Sequence, residues 1–196
     1  AVPCLDQVAA GFTHDLAAAV GATVASMPDL DLGLYIEQGT VLSRVRERLA
    51  EEAVARGFDG IVWLDSDMRF PPETLLRLCL SGESFLAANC PTRRVPILPT
   101  AWGADGPLYT EEGSPEREAV ERVGLAVAYT GTHLFTTLPQ PWFPQEWDDS
   151  IKDYTGEDVA FCRAVRLAGH TITVDHVLSR QVRHVGVMDY THGHAL

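Results

Sequence analysis

Two carboxylates one residue apart, Asp65-Ser66-Asp67, close the apolar run Gly60-Ile61-Val62-Trp63-Leu64. Two such charges held about 4 Å apart at an effective dielectric of about 20 repel by on the order of 4 kcal/mol. Each also loses solvation where a strand leaves a core. A divalent cation or a hydrogen-bonded ligand reverses the sign of that interaction. Oxygen ligands suit Mg²⁺ or Mn²⁺, ions that also bridge phosphate oxygens. A solvated turn is the competing explanation, and Asp29-Leu30-Asp31 shows how readily the pattern arises. That second copy follows Pro28 and precedes its apolar run, so it reads as a loop. The strand in front of Asp65 sets the first copy apart, because open α/β sheets bind ligands beyond the carboxyl ends of their strands.

Glu157-Asp158 opens a helical stretch after Gly156. Acids there complement the helix dipole and cap free N–H groups, and a carboxylate in the same place can also act as a general base. His184 lies in Arg183-His184-Val185-Gly186 and is either a satisfied surface or core residue or a metal ligand. Arg44, Arg46 and Arg48 read as a solvated helix face, with Arg44 or Arg46 placed to pair with a diphosphate. Arg93-Arg94 sit in an irregular loop, as idle surface or as an anion clamp.

The elements that must position these groups follow from periodicity. Val41, Val45, Leu49 and Ala53 recur every fourth residue, predicting an amphipathic helix over 41–56 closed by Gly57. Residues 60–64 read as a strand buried on both faces. Pro71-Pro72-Glu73 opens a second helix that ends at Gly82, and 85–88 reads as the next strand. Short strands are expected at 123–128, 132–136, 172–174 and 181–185, and a helix over 156–167 ending at Gly169. A turn is expected at Ala104-Asp105-Gly106, and a loose tail from Met188, which holds His192 and His194. Strands alternating with helices predict an α/β fold of βαβ units with a parallel sheet.

The chain has 196 residues, 15 Lys+Arg against 27 Asp+Glu, and a formal net charge of -12. That balance excludes broad, salt-driven nucleic-acid binding and leaves room only for a local basic patch. The hydrophobic fraction of 46% excludes intrinsic disorder. No apolar run reaches the roughly 18 residues of a membrane helix, and the start lacks the basic segment of a secretory signal. Cys4, Cys79, Cys90 and Cys162 are never spaced CxxC, which excludes a zinc knuckle and predicts reduced thiols and a cytoplasmic setting.

In order along the chain, these features resemble a GT-A type glycosyltransferase, close to the glycosyltransferase family 2-like proteins of bacteria and phages. The likeness runs from Val2 to Gly186 and is strongest over Phe58-Asp59-Gly60-Ile61-Val62-Trp63-Leu64-Asp65-Ser66-Asp67-Met68-Arg69-Phe70-Pro71-Pro72. Thr155-Gly156-Glu157-Asp158, followed by Ala168-Gly169, resembles the family's second acidic motif, and Asp175 and His184-x-Gly complete the order. The resemblance implies one domain over 1–187 with a tail at 188–196. Its fold would be the nucleotide-diphospho-sugar transferase fold, a Rossmann-like mixed, mostly parallel sheet flanked by helices.

The resemblance also implies roles. Asp65 and Ser66 would face the nucleotide and metal region, and Asp67, His184 and Asp65 would hold Mn²⁺ or Mg²⁺. Asp158 would be the base of an inverting transfer, with Glu157 beside it. Pro3, Cys4 and Asp6 would hold the nucleotide base, Arg46 the diphosphate, and Gly131-Thr132 the sugar. Relatives commonly carry Arg-Asn where this chain has Arg46-Glu47, and a Gly where it has His133. The implied reaction moves a sugar from a nucleoside-diphosphate sugar, UDP-sugar favoured, to an acceptor hydroxyl. Acceptors of such proteins include glycans, proteins and, in phages, hydroxymethylated DNA bases, and a phage-encoded member would work in the host cytoplasm. Two other readings compete. A sugar-phosphate nucleotidyltransferase would need a Gly-rich loop after the first strand, where Pro3-Cys4-Leu5-Asp6-Gln7-Val8 stands. A non-catalytic nucleotide-binding module would keep the fold without turnover.

Overall fold

The computed structural model describes residues 1–94, 96–149 and 152–186. The expected tail at 188–196, with His192 and His194, lies outside them. In chain order the elements are β1 (Val2–Cys4), α1 (Ala10–Ser26), β2 (Ile36–Gln38), α2 (Leu42–Ala55), β3 (Gly60–Leu64), β4 (Met68–Arg69) and α3 (Thr74–Cys79). Then come β5 (Phe85–Ala87), β6 (Trp102–Gly103), β7 (Gly106–Pro107), β8 (Arg117–Val120), β9 (Val127–Gly131) and α4 (Thr132–Thr137). The last are β10 (Trp147–Asp148), β11 (Asp153–Tyr154), α5 (Glu157–Leu167), β12 (Ile172–Asp175), α6 (His176–Ser179) and β13 (Arg183–His184).

The central sheet has five strands in the order β3-β9-β5-β12-β8. The sheet is mixed, as expected, and its neighbours alternate more than βαβ units would give. Only β5 and β12 pair in parallel, while β9 runs antiparallel between β3 and β5, and β8 antiparallel beside β12. Apolar periodicity carries no direction, so a strand that returns through a loop looks the same in sequence as one that returns through a helix. The parallel pair β1-β2 extends the sheet: Leu64 N–H donates to Ala1 and the Ala1 amine donates to Val62, which is parallel bonding to β3. Thus β1, β2, β3, β5 and β12 share one direction.

Two cores follow from alternation along these strands. Ile61, Trp63, Phe85, Ala87, Ile172 and Val174 face α2, α4 and α5. Leu64, Leu86 and Val127 face α1, α3 and α6. In the first core, the rings of Phe135 and Phe161 stack with centroids 5.2 Å apart, and Trp63 meets Phe143 edge-on at 5.6 Å. The Trp63 indole N–H is satisfied by Thr130 Oγ1 at 2.8 Å. Helix α2 ends where Gly57 takes φ of +75°, a conformation that costs glycine nothing. The expected strand at 132–136 is instead α4, because Leu134 and Phe135, with Leu138 beyond its end, form a helical stripe on the first core.

Candidate functional site

Strand β3 leaves the core at Leu64, and the Asp65 amide bonds the Ala126 carbonyl at 2.9 Å. The Met68 amide then bonds back to the Asp65 carbonyl at 3.0 Å, forming a tight turn with both carboxylates on it. The turn opens into β4, whose two residues pair antiparallel with β13, placing His184 against Met68. The Val185 amide donates to the Asp67 carbonyl at 2.8 Å and fixes that register. A two-residue ladder therefore carries His184 to the far-upstream aspartates, and its Nε2 lies 3.3 Å from Asp67 Oδ2.

The other ring nitrogen decides what can lie between these two atoms. His184 Nδ1 is 2.9 Å from the Pro91 carbonyl, which can only accept, so Nδ1 carries a proton. A neutral imidazole then turns the Nε2 lone pair toward a carboxylate oxygen. Two acceptors 3.3 Å apart need a proton or a cation between them. With no cation, the Asp67 hydrogen bond raises the His184 pKa above its ordinary value, although burial opposes it. Burial works against the Asp67 anion, but His184 and then Arg93 hold its pKa below the usual carboxylate range. Arg93 Nη1 sits 2.9 Å from the same Oδ2.

Arg46 joins the first acidic motif to the second. Its side chain is 2% exposed. Nη2 donates to Asp65 Oδ1 at 2.8 Å, and Nε to Glu157 Oε1 at 3.2 Å. The guanidinium carbon lies 5.6 Å from the Trp63 ring centroid, and Nη1 is buried without a protein partner. The expectation that Arg46 presents itself to a diphosphate is thus revised: two of its nitrogens are engaged with carboxylates beneath the site. Glu157 lies beside Asp158 as expected, but its carboxylate is committed to Arg46, which corrects its expected catalytic role. Asp158, in the first turn of α5, has no ion pair among the described residues; its Oδ1 accepts from the Val159 amide at 2.7 Å. Burial first, and then the neighbouring Glu157 charge, raise its pKa to about 6.

Other expected residues separate into near and far. The Ala9 amide donates to the Ser66 carbonyl at 3.1 Å, so the loop that follows Pro3 and Cys4 and holds exposed Asp6 runs beside the carboxylate turn. Gly131 and Thr132 do not reach the site, which is a correction. The register sets Gly131 against Gly60, at the opposite end of β3 from Asp65. That is a separation of roughly 16 Å, five residues at about 3.3 Å each. Thr132 instead bonds the Asp59 carbonyl through its amide. Because β9 is antiparallel, Ala126, just before it, is at the site. Ala126 joins Cys90, Thr92, Arg93, Arg94, Thr100 and His184 around a cleft of about 290 Å³. Asp175 is also elsewhere. It is fully buried, pairs with Arg77 and caps α6 by accepting from Leu178.

Among the described residues, no group of three or more His, Cys, Asp or Glu is placed to hold a metal ion. The protein donors that meet are the Asp67 and His184 pair. This suits an ion that keeps waters and completes its shell with substrate phosphates rather than one held by an all-protein cage. The Pro91 carbonyl orients the imidazole from its other nitrogen.

No family model matches the chain, and no curated protein matches it. Among solved structures, the crystal structure of A197 from STIV is similar, with a TM-score of 0.56 over 98% of this chain and 97% of that one, at 13% identity. At that identity the likeness is one of fold: a mixed α/β protein with helices on both faces of its sheet. Among the described residues no helix is long and apolar enough to cross a membrane.

Proposed function

We propose that the protein is a metal-dependent glycosyltransferase of the GT-A type. It would move a sugar from a nucleoside-diphosphate sugar, UDP-sugar favoured, to an acceptor hydroxyl with inversion. The observation that carries this reading is the pair Asp67 Oδ2 and His184 Nε2, 3.3 Å apart with the imidazole oriented by Pro91. Asp67 and His184 would hold Mn²⁺ or Mg²⁺, which when bound neutralises the leaving diphosphate.

The chain's own residues supply the rest. Arg46 holds the Asp65 carboxylate by one oxygen, leaving the other free for a ribose hydroxyl. Glu157 keeps Arg46 in place. Asp158 takes the acceptor proton as the new C–O bond forms; a pKa of about 6 leaves it ionised at neutral pH and still basic enough for late proton transfer. Arg93, half-exposed and paired with Asp67, would exchange that carboxylate for a phosphate oxygen when a donor enters. The loop after β1, which runs beside the carboxylate turn, would receive the nucleotide base.

The test is nucleotide release from UDP-, GDP- and dTDP-sugars with Mn²⁺, with and without candidate acceptors. Mn²⁺ binding is followed separately by electron paramagnetic resonance. Asp67→Ala and His184→Ala should each weaken Mn²⁺-dependent donor binding at least tenfold. Equal nucleotide affinity with and without Mn²⁺ in the parent protein would overturn the metal role. Tight donor binding with no release under any condition would leave a non-catalytic nucleotide-binding module.

A further inference from the structure

A second cleft, of about 430 Å³, runs along α5 from Val159, the residue after Asp158, to Arg163 and Arg166. Spacings of four and three put these side chains on one helical stripe. Its opposite wall carries Trp102 and Arg122. The Arg122 guanidinium carbon lies 4.2 Å from the centroid of the Trp102 ring, a close cation–π stack. The backbone fixes that stack: the Trp102 amide donates to the Arg122 carbonyl at 2.9 Å, and the Glu121 amide to the Trp102 carbonyl at 2.8 Å.

Charge pairing in the cleft is uneven. Arg163 is paired with Glu146, and Arg166 with Glu121. Arg122 has no carboxylate partner within ion-pair distance among the described residues, although Asp105 also lines the cleft. A half-buried cation left unpaired in a protein of net charge -12 is an open place for an anion. With one guanidinium face on the indole, the N–H edge stays available to a planar oxyanion in bidentate fashion. The overall acidity disfavours a polyanion such as nucleic acid, and the volume suits one sugar ring.

We infer that the Trp102–Arg122 cleft binds a carboxylate-bearing saccharide. The saccharide body and its description as the acceptor rest on the transferase reading above; the carboxylate contact at Arg122 does not. The α5 stripe then sets the carboxylate beside Arg122 and directs the rest of the saccharide toward the end of the helix that holds Asp158.

The experiment is a ¹H–¹⁵N titration of the full chain with glucuronate, glucose and inorganic phosphate, reading the indole N–H of Trp102, assigned with Trp102→Phe. Glucuronate should shift that signal saturably, glucose should not, and phosphate should act more weakly than glucuronate. Arg122→Gln should weaken the glucuronate response at least tenfold while the other indole signals stay in place, which reports an intact fold. Arg122→Lys should also weaken it, since an ammonium lacks the bidentate edge. The cleft is judged by this binding and the transferase reading by nucleotide release, so the two can fail separately. Absence of a shift, an equal shift with glucose, a stronger response to phosphate, or a response that survives Arg122→Gln would each overturn the inference.

Discussion

Asp158 carries opposed demands, and a single substitution separates them. Its folded-state pKa of about 6 exceeds the ordinary value of 3.8, so the native protein binds that proton more tightly than the unfolded chain. Stability from this group is therefore lost as pH rises from about 4 to 6, and above that range ionised Asp158 costs on the order of 2–3 kcal/mol. Asp158→Asn should raise the melting temperature by roughly 5–8 °C at pH 7.5. The gain should shrink toward zero at pH 4. Transfer should fall by at least a hundredfold in the same variant. In the parent, turnover should decline as pH drops through about 6. A variant that is neither stabilised nor inactive would remove Asp158 from its role. The departure at Glu47 has a structural reason: its carboxylate accepts the Trp142 and Phe143 amides at 3.0–3.1 Å, fixing the segment that packs over Trp63.

Elements in this molecule are tied together by few but well-placed contacts. Arg46 spans α2, the end of β3 and the start of α5. Arg46→Met would leave Asp65 and Glu157 facing each other without a counter-charge, a loss of about 3–5 kcal/mol. A fall in melting temperature of roughly 10 °C or more, with Arg46→Lys intermediate, is the expected outcome. An unchanged melting temperature would show that the two carboxylates do not depend on it. Helix α1 is tied in by Asp15, which accepts from Arg69 and the Phe70 amide. Arg69 foremost holds the Asp15 pKa down to about 2, so its stabilisation is present above pH 4 and lost as pH falls toward 2. Asp15→Asn should cost about 1 kcal/mol at pH 7, discounted because Arg69 is partly in water, and only a small part of that at pH 2. Thermal melts at the two pH values check this. The β4–β13 ladder has only two residues, so the Val185 amide should exchange its hydrogen orders of magnitude faster than the Trp63 amide in the central sheet. Comparable rates would show the ladder to be as firm as the sheet.

At the scale of the whole molecule, the sequence disclosed most of the elements but not their directions. The four-residue period of Val45 and Leu49, the Gly57 stop and the apolar block before Asp65 each mark one element without ambiguity. The long helix α1 is weakly amphipathic, with alanines on several faces, and leaves little periodic signal. The direction of β9 has no local signature, which is why Gly131 and Thr132 fall at the wrong end of the sheet while Ala126 goes unnoticed. Site residues were legible where type and spacing coincide, as in Asp65-Ser66-Asp67, Glu157-Asp158 and His184. Contacts made through tertiary placement were not: nothing in Arg93 or Pro91 alone shows that they meet Asp67 and His184. Trp102 and Arg122 are twenty positions apart, and only the return of the chain through β6 and β7 makes them neighbours.

His184 reaches the carboxylates on a short strand that follows every strand of the central sheet. Cleavage by a protease between Gln181 and Arg183 would leave all five of those strands covalently continuous while separating from them the imidazole that, among the described residues, meets Asp67. Such a nick would leave Asp67 on one fragment and His184 on the other, with the two-residue β4–β13 ladder to keep them together.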